Sequence, residues 1–177
     1  MSETVHLIEC DPQHHRDAIG DILNEAIAHS TALWDYAPRS GADMAGWFAA
    51  HRRRREPVVG AVDGEGRLLG FATYGPFRDR PANKYAVEHS IYVHRDHRGR
   101  GIGAQLLVAL VAAAQARHFR LMVGAIEAGN EASIRLHEAH GFTHAGTIKD
   151  AGFKFGRWMD LAFYQRILPG PAQPVDG

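Results

Sequence analysis

Apolar and polar residues alternate over Thr4–Glu9, and the spacing predicts a first strand, stopped by Asp11-Pro12. From His14 to His29, Ala18, Ile19, Ile22, Leu23, Ala26 and Ile27 return every three or four residues, the stripe of an amphipathic helix. Residues 30–41 read as a loop by their Ser, Pro and Gly content and carry the aromatics Trp34 and Tyr36. Ala42–Arg55 is a second helix, with Met44, Trp47 and Phe48 as its apolar stripe. Pro57–Val62 and Leu68–Tyr74 are strands joined by DGEGR (63–67), a hairpin turn built on Asp-Gly. After a loop over 75–84 comes a strand, Tyr85–Val93. Ile102–Arg117 is a helix in which Ile102, Leu106 and Leu110 step by four beside Leu107 and Val111. LMVGAI (121–126) is a continuous apolar run, as in a strand covered on both faces. Asn130 is placed to cap a helix over Glu131–His140, and Gly141 to end it. Strands over Thr143–Lys149 and Arg157–Arg166 flank DAGFKFG, and Trp158 reads as core within the second.

The order β-α-α-β-β-β-α-β-α-β-β has hairpins first and one strand–helix–strand unit in the middle. It predicts an α/β fold: a mixed, mostly antiparallel central sheet with flanking helices. A chain of 177 residues fits a single domain, here 1–168, followed by a Pro/Gly-rich flexible tail over 169–177. The formal net charge is zero, which gives no global attraction to nucleic acid or an anionic membrane. The run Arg52–Arg55 is short and lies at a helix end, where cations complement the dipole, so it reads as a solvated terminus. No leader pattern and no apolar run of ~20 residues is evident, and the single Cys10 fits a reducing compartment; the expected location is cytoplasmic. The twelve histidines are scattered outside any metal-ligand spacing, so no metal site is predicted.

VHRDHRGRGIGAQLL (93–107) carries the chemistry. A strand enters a turn in which Arg98 and Arg100 alternate with Gly99, Gly101 and Gly103, and a helix follows. Backbone N–H groups at a helix start have no intrahelical partners, and the dipole adds positive potential, so a phosphate or diphosphate is the natural guest. The Lys-Ser/Thr ending of a Walker loop is missing. GRGIGA also fits the loose dinucleotide pattern, with Glu127 after the next strand, and a nicotinamide-dependent oxidoreductase is therefore an alternative. Only one βαβ unit is visible, however, where a dinucleotide fold needs a parallel βαβαβ half.

The segment Arg98–Gly103 resembles the Q/R-x-x-G-x-G/A coenzyme A loop of the Gcn5-related N-acetyltransferases (GNAT). NEASIRLHEAHGF (130–142) is similar to the second coenzyme segment of that family. VEHSIYV (87–93), SIRLHEAHGF (133–142) and KFGRWMD (154–160) resemble its phosphinothricin and methionine sulfoximine acetyltransferase branch. The likeness runs from about Leu7 to Leu168. It implies acetyl-CoA as acetyl donor, in a cleft where strands 85–93 and 121–126 splay, and a homodimer. Backbone groups of Ile91, Tyr92 and Val93 would pair with the pantetheine arm. The turn Arg98, Gly99, Arg100, Gly101, Ile102, Gly103, Ala104 would take the diphosphate, and Asn130 and Ser133 would touch the coenzyme from the other side.

Acetyl transfer to an amine needs a base, an oxyanion donor and a proton for the leaving thiolate. Glu88, a carboxylate in an otherwise apolar and aromatic strand, is the candidate base, directly or through water; a carboxylate paired with a nearby arginine is the other reading. The N–H of Val93 is the candidate oxyanion donor. His137 stands where many relatives place a tyrosine acid, and either relays a proton or serves as a structural hydrogen-bonding residue. Arg78 and Arg80 precede the Glu88 strand, and an arginine there would grip a substrate carboxylate. Trp34 lines the pocket or packs locally, and Lys154 with Trp158 would close over the substrate. The expected reaction is acetylation of the α-amino group of phosphinothricin, methionine sulfoximine or methionine sulfone. Another amine or peptide N-terminus, or a non-catalytic coenzyme A sensor, are the alternatives.

Overall fold

Residues 4–176 are described by a computed structural model. Seven strands form one mixed sheet in the order β1-β2-β3-β4-β5-β7-β6. They are β1 (His6–Glu9), β2 (Val58–Val62), β3 (Leu68–Pro76), β4 (Ala86–Val93), β5 (Leu121–Glu127), β6 (Thr143–Lys154) and β7 (Arg157–Ile167). Four helices accompany them: α1 (Arg16–His29), α2 (Gly41–Arg54), α3 (Ile102–Ala116) and α4 (Glu131–Ala139). The mixed α/β architecture and the element order are those predicted. The only parallel pairing among those described is β4 with β5, which is not the parallel half that a dinucleotide-binding fold requires. The chain divides into two compact units, residues 1–73 with 90–110 and residues 74–89 with 111–177, and the division falls inside β3, β4 and α3.

In the first unit, β1 pairs antiparallel with β2 and β2 with β3, with a bulge at Ala61/Val62. Ile19, Ile22 and Leu23 of α1 meet Met44 and Phe48 of α2, Val58 and Phe71 of the sheet, and Cys10. These are the apolar positions whose spacing predicted the helices, and their removal from water supplies the driving force at roughly 25 cal/mol per Å². Gly60 lets the strands close over this core, since a Cβ there would come within 2.5 Å of the Cys10 sulfur. α2 begins one residue earlier than predicted because Ser40 and Asp43 form a reciprocal capping box. The basic run at its end is exposed, as a solvated terminus requires. α1 begins at Arg16, later than predicted, because the Asp11 side chain gathers the N–H groups of Gln13 and His14 into a turn. The His14 ring first, and then those backbone bonds, hold the Asp11 carboxyl down to about 2.

In the second unit, the start of β4 runs parallel to β5 in the register Glu88↔Val123 and His89↔Gly124. β5 pairs antiparallel with β7, and β7 with β6. β6 is longer than predicted: Asp150-Ala151-Gly152 belong to the strand, not to a loop. The register shift between Ile148 and Gly152 accommodates them, and Asp160 accepts the Asp150 N–H at 3.0 Å while binding Lys149 at 2.6 Å. The hairpin then turns on two residues only, Phe155 (φ 51°) and Gly156 (φ 74°), a pattern that twisted strands favour. Trp158, expected in the core, is 62% exposed and lies edge-on to Phe153. Alternation along β7 explains it: Met159 takes the buried position. In the tail, the Val175 N–H donates to the Tyr85 hydroxyl at 3.2 Å.

Candidate active site

The Arg-Gly turn lies in the first unit, after a short 3-10 turn over Arg95–His97. Gly99 and Gly101 have φ of 76° and 77°, a region costly for other residues, and a Cβ at either would meet nothing within 4 Å. These glycines therefore serve backbone conformation and leave open space in front of the turn. Ile102, 2% exposed, anchors the start of α3, whose first N–H groups lack intrahelical acceptors. Gly103 and Ala104 continue the helix. The arginines divide. Arg98 donates from Nε to the Val93 carbonyl (3.1 Å) and from Nη2 to Glu25 on α1 (2.7 Å), so it ties the turn to the strand and to α1. Arg100 is exposed, its guanidinium 3.4 Å from the His97 ring.

Ile91, Tyr92 and Val93 form the end of β4 and are half-buried. Tyr92 stacks on Phe71 at 5.6 Å. Gly70 of β3 permits close approach, because a Cβ there would lie 2.8 Å from the Tyr92 carbonyl oxygen. Trp34 folds back on its own loop, its indole N–H donating to the Thr31 carbonyl at 2.8 Å.

In the second unit, Glu88 is half-buried in β4, and burial raises its carboxyl above the ordinary range while the Arg78 guanidinium pulls it back. The structure thus brings Arg78 and Glu88 into one electrostatic field. Both Arg78 and Arg80 are exposed, Arg78 over the Phe77 ring and Arg80 at the start of the 3-10 turn Pro81–Asn83. Asn130 and Ser133 cap α4: the Asn130 side-chain oxygen accepts the Ser133 N–H at 3.1 Å. Glu127, the acidic residue that accompanies the loose dinucleotide pattern, is buried with Arg157 3.5 Å away. Lys154 is buried, its ammonium over the Phe155 ring.

His137 is the buried residue of α4, and both its ring nitrogens are engaged. Nδ1 contacts the Ser133 carbonyl at 2.7 Å, and Nε2 lies 2.8 Å from Nε2 of His89. The His89 ring, also buried, contacts the Val123 carbonyl through Nδ1 at 2.7 Å. Sequence reasoning missed His89. Its one signal is that alternation turns it to the face opposite Glu88. Gly124 of β5 provides the room, since a Cβ there would sit 2.8 Å from the His89 ring and 3.1 Å from His137 Nε2. Among the described residues, no three His, Cys, Asp or Glu side chains converge as a metal site.

A glycine turn with left-handed φ that opens a helix suits a phosphate-bearing ligand. The family profile described as "Acetyltransferase (GNAT) family" matches residues 8–142, and the chain belongs to that family. It is 45% identical over 147 residues to an L-methionine sulfoximine/L-methionine sulfone acetyltransferase of Pseudomonas paraeruginosa, covering 83% of this chain and 86% of that relative. A solved acetyltransferase structure from Acinetobacter baylyi superposes with a TM-score of 0.97 at 50% identity, covering 99% of this chain and 98% of the other. A phosphinothricin acetyltransferase from Sinorhizobium meliloti, crystallised with acetyl-CoA, gives 0.91 at 38% identity, covering 98% of this chain and 93% of the other.

Proposed function

We propose that this protein transfers the acetyl group of acetyl-CoA to the α-amino group of a small amino-acid analogue of the methionine sulfoximine, methionine sulfone or phosphinothricin type. The observation that carries the reading is the likeness to the Pseudomonas sulfoximine/sulfone acetyltransferase over most of both chains. The residues support it. The turn 98–104 offers its amides and open space to the donor's diphosphate, Arg98 holding the turn and Arg100 facing solvent beside it. Main-chain groups of Ile91, Tyr92 and Val93 bind the pantetheine arm, and Asn130 and Ser133 shape the start of α4.

Glu88 takes the proton that the attacking amine must lose. As the C–N bond forms, the Val93 N–H steadies the developing oxyanion, and the C–S bond then breaks. The departing thiolate receives its proton from His137. Arg78 grips the acceptor's carboxylate and Arg80 adds positive field on the same loop, with Trp34 bordering the acceptor. Initial rates of thiol release from acetyl-CoA, over a panel of the three analogues, ordinary amino acids and peptides, test the reading. Saturable release with one of the analogues is expected, and release confined to peptides or absent with all acceptors overturns it.

The family match runs across both units, which supports reading 1–168 as one acetyltransferase domain with 169–177 as its tail. No helix among the described residues is long and apolar enough to cross a membrane. Burial pushes the Cys10 thiol up to about 12, which suits a cytoplasmic protein whose cysteine stays reduced. Exposed Phe153, Phe155 and Trp158 on the β6–β7 hairpin favour a homodimer, which light scattering would register as twice the 19.5 kDa chain mass.

A further inference from the structure

The two buried histidines hold more hydrogen bonds than two neutral rings can make. A carbonyl accepts only from N–H, so the 2.7 Å contacts to Val123 and Ser133 place a hydrogen on Nδ1 of both His89 and His137. Two neutral imidazoles carry two such hydrogens in all. Their Nε2 atoms would then face each other at 2.8 Å as bare lone pairs. A third proton on that axis satisfies every contact.

We propose that His89 and His137 share one proton between their Nε2 atoms, and that His89 is the positioning residue that keeps His137 Nδ1-anchored and protonated. The surroundings make room for the two rings. Gly124 leaves room for both rings where any side chain would press on them. The Phe142 ring lies 5.3 Å from His89 and 5.2 Å from His137, edge-on to the latter. Burial and the neighbouring imidazole push the His89 ring down to about 3, and burial lowers His137 too; both shifts oppose charge on the pair, and the Nε2–Nε2 hydrogen bond at 2.8 Å is what holds the shared proton against them. The titratable groups around the pair are His140 and Glu138 on α4, Tyr164 on β7 opposite Gly124, and Glu88 on the other face of β4. A charge on His140 pushes His137 down further.

The role in catalysis rests on the reading of His137 as the acid of acetyl transfer. When the pair opens and His137 gives its Nε2 proton to the departing sulfur, an S–H bond forms and the pair falls to two protons. Solvent returns the third before the next turnover.

Two measurements test this. Nitrogen-15 NMR of the unmodified full chain, labelled in histidine, should show both Nδ1 atoms protonated and one proton shared by the two Nε2 atoms. That proton should resonate far downfield of ordinary imidazole N–H and be lost as one step. An unprotonated Nδ1 on either ring, or independent titration of the two, overturns the proposal. His89→Gln keeps a donor toward His137 Nε2 but leaves that ring neutral. Its kcat should fall tenfold or more, with the alkaline limb of the pH profile displaced to lower pH and KM for the acceptor unchanged. Gly124→Ala, which adds no charge, should displace the limb the same way. A profile identical to the parent's in both variants overturns the positioning role. Absence of acetyl transfer to every acceptor defeats the proposed function instead, and the proton count by NMR still decides the pair.

Discussion

Glu88 illustrates how a single position acquires its chemistry. Half-burial in β4 disfavours its charged form, and Arg78 partly restores it. Removing that arginine therefore moves the carboxyl higher, because the group that pulled it down is gone. Arg78→Met should shift the acid limb of the rate profile to higher pH. It should also raise KM for the acceptor by about 10- to 100-fold, the loss of a charge-assisted bond worth ~1.5–3 kcal/mol. Initial rates against acceptor concentration across pH check both, and an unchanged limb would separate Arg78 from Glu88. Glu88 and Arg78 were legible in the sequence as candidates, because a carboxylate in an apolar strand and arginines on a loop are exceptions to local pattern, and the structure adds that the Arg78 charge acts on Glu88. His89 was not legible. A histidine at an inward strand position reads as packing, and what alters that reading, the ring of His137, comes from 48 residues away in the chain.

At the scale of elements, the turn before α3 depends on backbone conformation and not on space. Gly101 sits at φ 77° with nothing near a notional Cβ. Gly101→Ala should cost roughly 1–2 kcal/mol through left-handed strain alone, and weaken acetyl-CoA binding by about tenfold. Gly101→Asn should lose less, because asparagine tolerates that region. Calorimetric titration with acetyl-CoA and thermal unfolding measure the two effects, and equal behaviour of Ala and Asn would refute the conformational argument. Helices were read well from periodicity, since their apolar stripes are the buried ones, and the errors lie at their ends. The Ser40–Asp43 box and the Asp11 turn moved those ends by side-chain bonding that hydrophobic spacing does not encode. β6 was cut short for a similar reason. A bulge hides Asp150–Gly152 within a strand, with Asp150 at φ 50° and its N–H bonded across to Asp160, a contact that local pattern does not announce.

For the whole molecule, the order of strands decides between the ligands a glycine turn can serve. Among the described pairings only β4 with β5 is parallel, which is not a dinucleotide-binding half, and the match across residues 8–142 places the chain among the acetyltransferases. The fold class was readable from the alternation of elements, whereas the pairing of β7 between β5 and β6 is a tertiary choice with no local signature. If Glu88 is the base of acetyl transfer to an amino-acid analogue, the rate must follow its ionisation. The most direct measurement is the pH profile of kcat, with acetyl-CoA and methionine sulfoximine, for the parent chain and Glu88→Gln. The parent should gain activity as pH rises through a carboxyl value above the ordinary glutamate range. The variant should lose that limb and run about 10²- to 10⁴-fold slower, with its affinity for acetyl-CoA unchanged. A variant that matches the parent in rate and in acid limb would remove Glu88 from the chemistry.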